Sequence, residues 1–316
     1  MPYKNDIYLK ARRAVSLTFL VAEVLVFIFT LAVCFPMFIK KVSSVERGFV
    51  KSLIYTTVPF GLSIFFGSVY FYINSIILSY MKGDIELGVY SAAYNLALAL
   101  LFIPAMYTSA IFPLMSRYYK ESGDKLRYIY RKSFKYLYIA GLALSIFTFF
   151  RSESLISVFY GSGYSGAATA LKIISFFIFI KFINFLIGNL LAAADRQNSR
   201  MAIQGLTAAF NVILSILLIP FLGLIGAAIS TLVTEVLLFI VYFGEATKAV
   251  GRIALLPLLI RPGLAGLAMA IFLNYFDSNI VIEGLAAMLV YGIALIILRA
   301  FSSQDKELFI KVIRNG

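Results

Sequence analysis

Nine apolar stretches alternate with connections whose Lys and Arg fall almost entirely on every second one. A chain of this pattern is threaded repeatedly through a bilayer. The stretches run about 14 to 39, 53 to 80, 88 to 114, 134 to 150, 167 to 194, 201 to 219, 225 to 243, 257 to 275 and 280 to 298. Most suffice to cross ~30 Å of hydrocarbon as helices. Open sheet is excluded, because a strand edge in lipid leaves backbone groups unpaired, and closed barrels read as short alternating segments. The expected fold class is all-α: a polytopic transmembrane helical bundle of about nine spanning helices.

Lys and Arg number four in 40 to 52, seven in 115 to 135, two in 195 to 200, three in 244 to 261 and four from Arg299 onward. The intervening connections hold only Lys82 and Arg151. The rich set is expected to face the cytoplasm, which makes this a multi-pass protein of the cytoplasmic membrane with a cytoplasmic carboxy terminus. The amino-terminal Lys4, Lys10, Arg12 and Arg13 break the alternation if the first helix spans. Either that helix fails to span, or earlier helices of a larger design fix its orientation.

Composition bounds the function. The chain is 61% hydrophobic and 14% charged, with no His and a net charge of +13. Those cations are dispersed beside spanning helices, where anionic membrane lipids account for them, so nucleic acid is not an expected partner. Cys34 is the single cysteine, which excludes an internal disulfide and a Cys-based metal site. There is no His, no Gly-rich phosphate loop and no carboxylate cluster at metal-ligand spacing, so neither an enzyme nor a cofactor or metal is expected. The loop 115 to 135 interleaves seven Lys and Arg with tyrosines, a composition suited to an interfacial helix at the headgroup level.

Polar residues inside the apolar stretches carry the functional signal, since a charge at helix centre costs ~2.5–3.5 kcal/mol on insertion scales. Lys181 sits mid-way along the fifth stretch, with Asn184 and Gly188 following on the same face. Glu235 occupies the middle of the seventh, Glu23 lies in the first, and Asn74, Asn95 and Asn211 fall in the second, third and sixth. An amide in this setting reads first as interhelical glue. An ion needs a partner, a wet cavity or a substrate. Pro59 in the second stretch and Pro104 in the third each remove a backbone hydrogen bond and mark hinges or packing kinks.

The segments VPFGL around Pro59, GDIELGVYSAAYNLALAL from Gly83, FIPAMYTSAIFPLMSRYY from Phe102, YGSGYSGAATALKI from Tyr160 and LGLIGAAISTLVTE from Leu222 occur in that order. Over residues 40 to 245 the chain resembles the carboxy-terminal portion of polysaccharide-biosynthesis and lipid-linked oligosaccharide flippases, in the multidrug, oligosaccharidyl-lipid and polysaccharide exporter superfamily. The resemblance implies a carrier of two six-helix lobes that alternates between inward-open and outward-open states and turns over a polyprenyl-linked sugar. It maps residues 1–50 onto helix six and its loop, 51–245 onto the carboxy-terminal six-helix lobe, and 246–316 onto an extra helix pair and tail. Five helices of the amino-terminal lobe have no counterpart in the chain, so a separate amino-terminal lobe is an expected partner.

The expected substrate contacts are Lys181 on a diphosphate or acidic sugar, with Asn74, Asn95, Asn184, Tyr90 and Tyr94 on hydroxyls and rings. Glu235 is expected to balance the Lys181 charge or carry a coupling proton or Na⁺. A cation-coupled drug exporter of the same superfamily and a non-catalytic subunit of cell-envelope polysaccharide assembly remain open alternatives.

Overall fold

The computed structural model describes residues 17–18, 20–35, 47–251, 253–254 and 256–301. The amino-terminal cations Lys4 to Arg13 and most of the basic tail beyond Arg299 lie outside them. The described residues form α1 (Leu20–Phe35), α2 (Arg47–Lys82), α3 (Asp84–Leu100), α4 (Phe102–Glu121), α5 (Gly123–Phe150), α6 (Ser152–Tyr160), α7 (Ala167–Ala193), α8 (Gln197–Val250), α9 (Leu256–Tyr275) and α10 (Ile280–Ile297). Among the described residues there is no strand.

Among the described residues, seven helical segments are long and apolar enough to cross a membrane. The difference from nine has two sources. The described part of α1, Leu20–Phe35, falls below the length counted as a span, and the residues on either side of it lie outside the described set. The sixth and seventh apolar stretches are joined in α8, a 54-residue helical run broken at Gly223, whose φ of 55° and ψ of −132° are not helical. The chain reverses there. Asn211 Nδ2 donates to Thr234 Oγ1 at 3.0 Å, and Ser215 Oγ lies 3.0 Å from Ser230 Oγ, so the arms 197–222 (α8a) and 224–250 (α8b) run antiparallel. Pro220 precedes the turn, and only glycine tolerates the backbone angles at 223 without strain.

By compactness the chain divides into Met1–Val58 and Pro59–Gly316. In the first unit the described side chains of α1 are almost all exposed, Glu23 included. Unbonded hydroxyls in this apolar setting turn back onto their own helix: Thr30 Oγ1 donates to Val26 O at 2.8 Å and Thr57 Oγ1 to Leu53 O at 2.7 Å.

The second unit is built around α7. Both its faces are apolar, and Leu171, Ile174, Phe177, Ile178, Phe182, Leu186 and Leu190 are fully enclosed by α3, α4, α5, α6 and α8. The bundle inverts the soluble pattern: Phe102, Ile213, Leu289 and Ile296 are exposed, while Ser, Thr, Asn, Lys and Glu lie inside. Close approach uses small residues, as at Gly141, where a Cβ would stand 3.0 Å from the Phe182 side chain. A second apolar cluster, Ala143, Ala265, Met269, Leu273, Ala287, Tyr291 and Leu295, packs α9 and α10 against α5.

The connections sort by position as they sort by charge. Glu86, beside Lys82, accepts from Leu224 N at 3.1 Å in the 220–224 turn. Arg151 reaches the 276–279 turn through Leu273 O at 2.9 Å and the Phe276 carbonyl. Those four connections are the Lys- and Arg-poor set. On the rich side, Arg196 Nη1 meets Glu245 Oε1 at 3.3 Å, joining the 195–200 and 244–261 connections.

Candidate functional site

The centre of the second unit holds a polar network drawn from α2, α3, α7, α8a and α8b. Its hub is Glu235, fully buried on α8b. Lys181 Nζ on α7 donates to Glu235 Oε2 at 3.1 Å, and Tyr70 OH on α2 donates to the same oxygen at 2.6 Å. Asn184 Nδ2, one turn beyond Lys181, donates to Oε1 at 2.7 Å. Both carboxylate oxygens are thus engaged, which is the condition for keeping a charge inside a low-dielectric bundle.

An ammonium has three protons and Glu235 takes one. The rest of the Lys181 charge is met by ring faces: its Nζ stands 4.7 Å from the Tyr70 centroid, 4.8 Å from Phe71 and 5.7 Å from Phe177. Desolvated cation–π contacts of this kind are each worth up to ~2 kcal/mol. Lys181 itself is 7% exposed, so the cage is nearly closed.

A second tier lies one helical turn away. Asn74, four residues after Tyr70, donates to Thr231 Oγ1 at 2.6 Å and Ala227 O at 3.3 Å, and accepts from Ser215. Tyr90 OH pairs with Thr231 Oγ1 at 3.2 Å, and the Tyr90 ring stacks on Tyr94 with centroids 5.6 Å apart. Tyr94 in turn lies 6.1 Å from Phe177 of the lysine cage. Two buried acceptors, Asn184 Oδ1 and Asn211 Oδ1, have no partner among the described residues.

Of the residues expected at the site, Lys181, Asn184, Asn74, Tyr90, Tyr94 and Glu235 are brought together. Asn95 is not: it is exposed on α3, one position off the buried line of Tyr90, Tyr94 and Ala97. Pro59 is buried in a helix that continues through it, and Gln197 Nε2 bonds the nearby Ser63 Oγ at 3.0 Å. Pro104 stands one turn past Leu101, where α3 gives way to α4, as expected from the clash of its ring with the carbonyl of residue 100.

Tyr70, Thr231 and Ser215 escaped the sequence reading. Their signal was spacing: Tyr70 with Asn74, Asn211 with Ser215, and Thr231 with Glu235 each recur four apart in apolar helices.

The sequence of residues 8–119 matches the family model of polysaccharide biosynthesis proteins. Among relatives, an uncharacterised membrane protein of Methanocaldococcus jannaschii is 26% identical over 269 residues, covering 81% of this chain and 52% of that protein. The capsular polysaccharide biosynthesis protein CapF of Staphylococcus aureus is 27% identical over 195 residues, 61% of this chain and 49% of the relative. The probable flippase AglR of Haloferax volcanii is 26% identical over 252 residues, 75% of this chain and 52% of the relative. The chain therefore spans about half the length of the curated relatives it matches. In fold it is similar to the lipid II flippase MurJ in an inward closed conformation, with a TM-score of 0.56 at 17% identity over 71% of this chain and 52% of that one. With its multi-pass helical architecture, the chain is similar to polysaccharide-biosynthesis proteins over residues 8–119 and to membrane proteins that include a probable flippase.

Proposed function

We propose that the chain is the carboxy-terminal portion of a carrier that moves a polyprenyl-linked oligosaccharide or polysaccharide precursor across the cytoplasmic membrane by alternating access, without covalent catalysis. The observation that carries this reading is the Lys181–Glu235 pair, an ion pair at 3.1 Å in the interior of an apolar bundle. The family relatives support the substrate class, CapF through capsular polysaccharide and AglR as a probable flippase.

The physical problem is that the polyprenyl tail prefers the bilayer while diphosphate and sugars cannot cross hydrocarbon unaided. In this proposal Lys181 is a compact point charge for the phosphate, and Glu235 neutralises it while no substrate is present. Bonding at both Glu235 oxygens by donors from α2 and α7 favours this charge-balancing role over ion coupling. Asn74, Asn184 and the stacked Tyr90 and Tyr94 offer amides and ring faces to sugars, with Pro59 and Pro104 at the hinges. Residues 1–50, 51–245 and 246–316 act as entry helix, transport lobe and extra pair, the carboxy terminus facing the cytoplasm. A separate amino-terminal lobe completes the groove.

The test is a flipping assay on the completed carrier in proteoliposomes. Lys181→Ala is expected to lower transport of a diphosphate-linked sugar at least tenfold with the protein still inserted. Unchanged transport sinks the role given to Lys181.

A further inference from the structure

The buried polar groups on the two sides of Glu235 are satisfied differently. Toward the Lys- and Arg-poor connections, Asn74, Tyr90, Ser215, Ser230 and Thr231 bond one another or the backbone. Toward the rich connections, Asn184 Oδ1, Gln204 Oε1 and Arg200 Nε are buried with no hydrogen-bond partner among the described residues. A fourth unmet atom, Asn211 Oδ1, is level with the pair, since Asn211 bonds Thr234. Gln204 and Arg200 lie about two and three turns before Asn211 on one face of α8a.

The unmet atoms border a seam. Asn184 is 3% exposed, and its Nδ2 donates to Glu235 O at 3.1 Å and Glu235 Oε1 at 2.7 Å, so the amide cannot turn end for end to find a donor. One turn further along α7, Gly188 leaves a gap. An ideal Cβ there stands 3.4 Å from Tyr242 Cε2 and 3.8 Å from both Arg200 Nε and Tyr242 OH, ordinary contact distances that admit a further atom. Arg200 and Gln204 are half-buried overall, which makes them the mouth. Toward the poor side, Ala170, Leu171, Ile174, Phe177 and Ile178 of α7 are apolar and fully enclosed.

Buried donors and acceptors without a protein partner are met in native structures by ordered water, which itself needs several polar neighbours. Asn184, Gln204, Arg200 and Tyr242 supply them. We propose that the seam between α7, α8a and α8b holds ordered water from Arg200 to Asn184, and that solvent reaches the Asn184 side of the Lys181–Glu235 pair from the Lys- and Arg-rich side alone. The bonded tier of Asn74, Thr231 and Tyr90 and the apolar half of α7 close the other side. The pair is thus hydrated from one direction without the bundle parting.

X-ray hydroxyl-radical footprinting of the full chain in lipid nanodiscs tests this, with water as the probe and two buried tyrosines as reporters. Tyr242 at the seam is 2% exposed and Tyr90 in the bonded tier 1%, so contact with bulk solvent does not separate them. Tyr242 is expected to oxidise at least tenfold faster than Tyr90, and Arg200→Leu with Gln204→Leu is expected to remove that excess. Gly188→Ala, which occupies the gap, repeats the test if the double variant fails to fold. Equal rates at the two tyrosines, faster oxidation at Tyr90, or a Tyr242 rate unaltered in a folded variant overturns the inference. The readout is hydration, so it stands whether or not Lys181 serves transport.

Discussion

Two of the buried ion pairs among the described residues of the second unit are made differently. Arg151 and Glu283 form a clamp: Arg151 also holds the carbonyls of Leu273 and Phe276, while Glu283 Oε1 accepts from Ser278 N at 2.7 Å. Most of the clamp's remaining partners are backbone, so it fixes the turn between α9 and α10 against the end of α5. Lys181 and Glu235 are surrounded by side chains instead, Tyr70, Asn184 and three rings. A pair held by backbone is locked with the fold, whereas one held by hydroxyl, amide and ring faces can trade partners. Burial alone does not separate a strut from a site; the identity of the surrounding groups does.

The largest effect expected is from halving either pair. Glu235→Leu or Glu283→Leu strands a buried cation and should cost ~3–5 kcal/mol, read by unfolding in mixed micelles. The comparison is broken or upheld by the double replacements. Lys181→Met with Glu235→Leu should recover most of that loss while the proposed transport remains at least tenfold down. Arg151→Met with Glu283→Leu should recover less, because the part-buried Leu273 carbonyl and Ser278 N–H lose partners, at up to ~1–3 kcal/mol for a fully buried group left unmet. Equal recovery in the two cases would erase the distinction.

Next in size is Gly223→Ala, which puts a side chain on a φ of 55° and directs its Cβ at the Glu86 carboxylate. A loss of ~1–3 kcal/mol is expected from the backbone strain. Asn184→Leu should cost less, ~0.6–1.7 kcal/mol for a hydrogen bond inside a membrane protein, and should lower transport by more than that loss of stability explains if Glu235 needs the amide to stay aimed at Lys181.

The smallest effect belongs to an exposed pair at the helix ends. Lys172 donates to Glu153 at 2.8 Å, and that hydrogen bond holds the Glu153 carboxyl below its ordinary value. A carboxyl depressed on folding stabilises above its unfolded pKa, and that contribution fades as pH falls through the lowered folded one. Lys172→Met should return the Glu153 titration toward 4.5 in a carbon-detected NMR experiment, with almost no change in stability because the pair is solvated.

Much of this was legible in the chain. Hydropathy located the helices, and the insertion cost of a charge singled out Lys181 and Glu235 from separate stretches. Their pairing was one of two roles open to Glu235, and the choice between them was not legible, since contact depends on α7 and α8b facing each other with the two residues 54 apart in sequence. Asn95 shows the converse: its apolar neighbours suggested a site, yet one residue of helical rotation turns it outward. Arg151 read as a stray loop charge, because its acceptors lie 122 to 132 residues away in sequence. The backbone angles at Gly223 and the depth of the reversal there belong to packing.

Tyr70 and Asn74 give α2 its polar grip on α8, through Glu235, Thr231, Ala227 and Ser215. On the other flank, Lys181 and Asn184 bind α7 to the same carboxylate. Should this bundle part to admit a solute, the weaker seam runs along α2, where each bond is neutral on at least one side and a sugar hydroxyl can replace it. The lysine and its counter-ion would then travel as one piece with α7 and α8b, presenting charge to the opening without first being pulled apart.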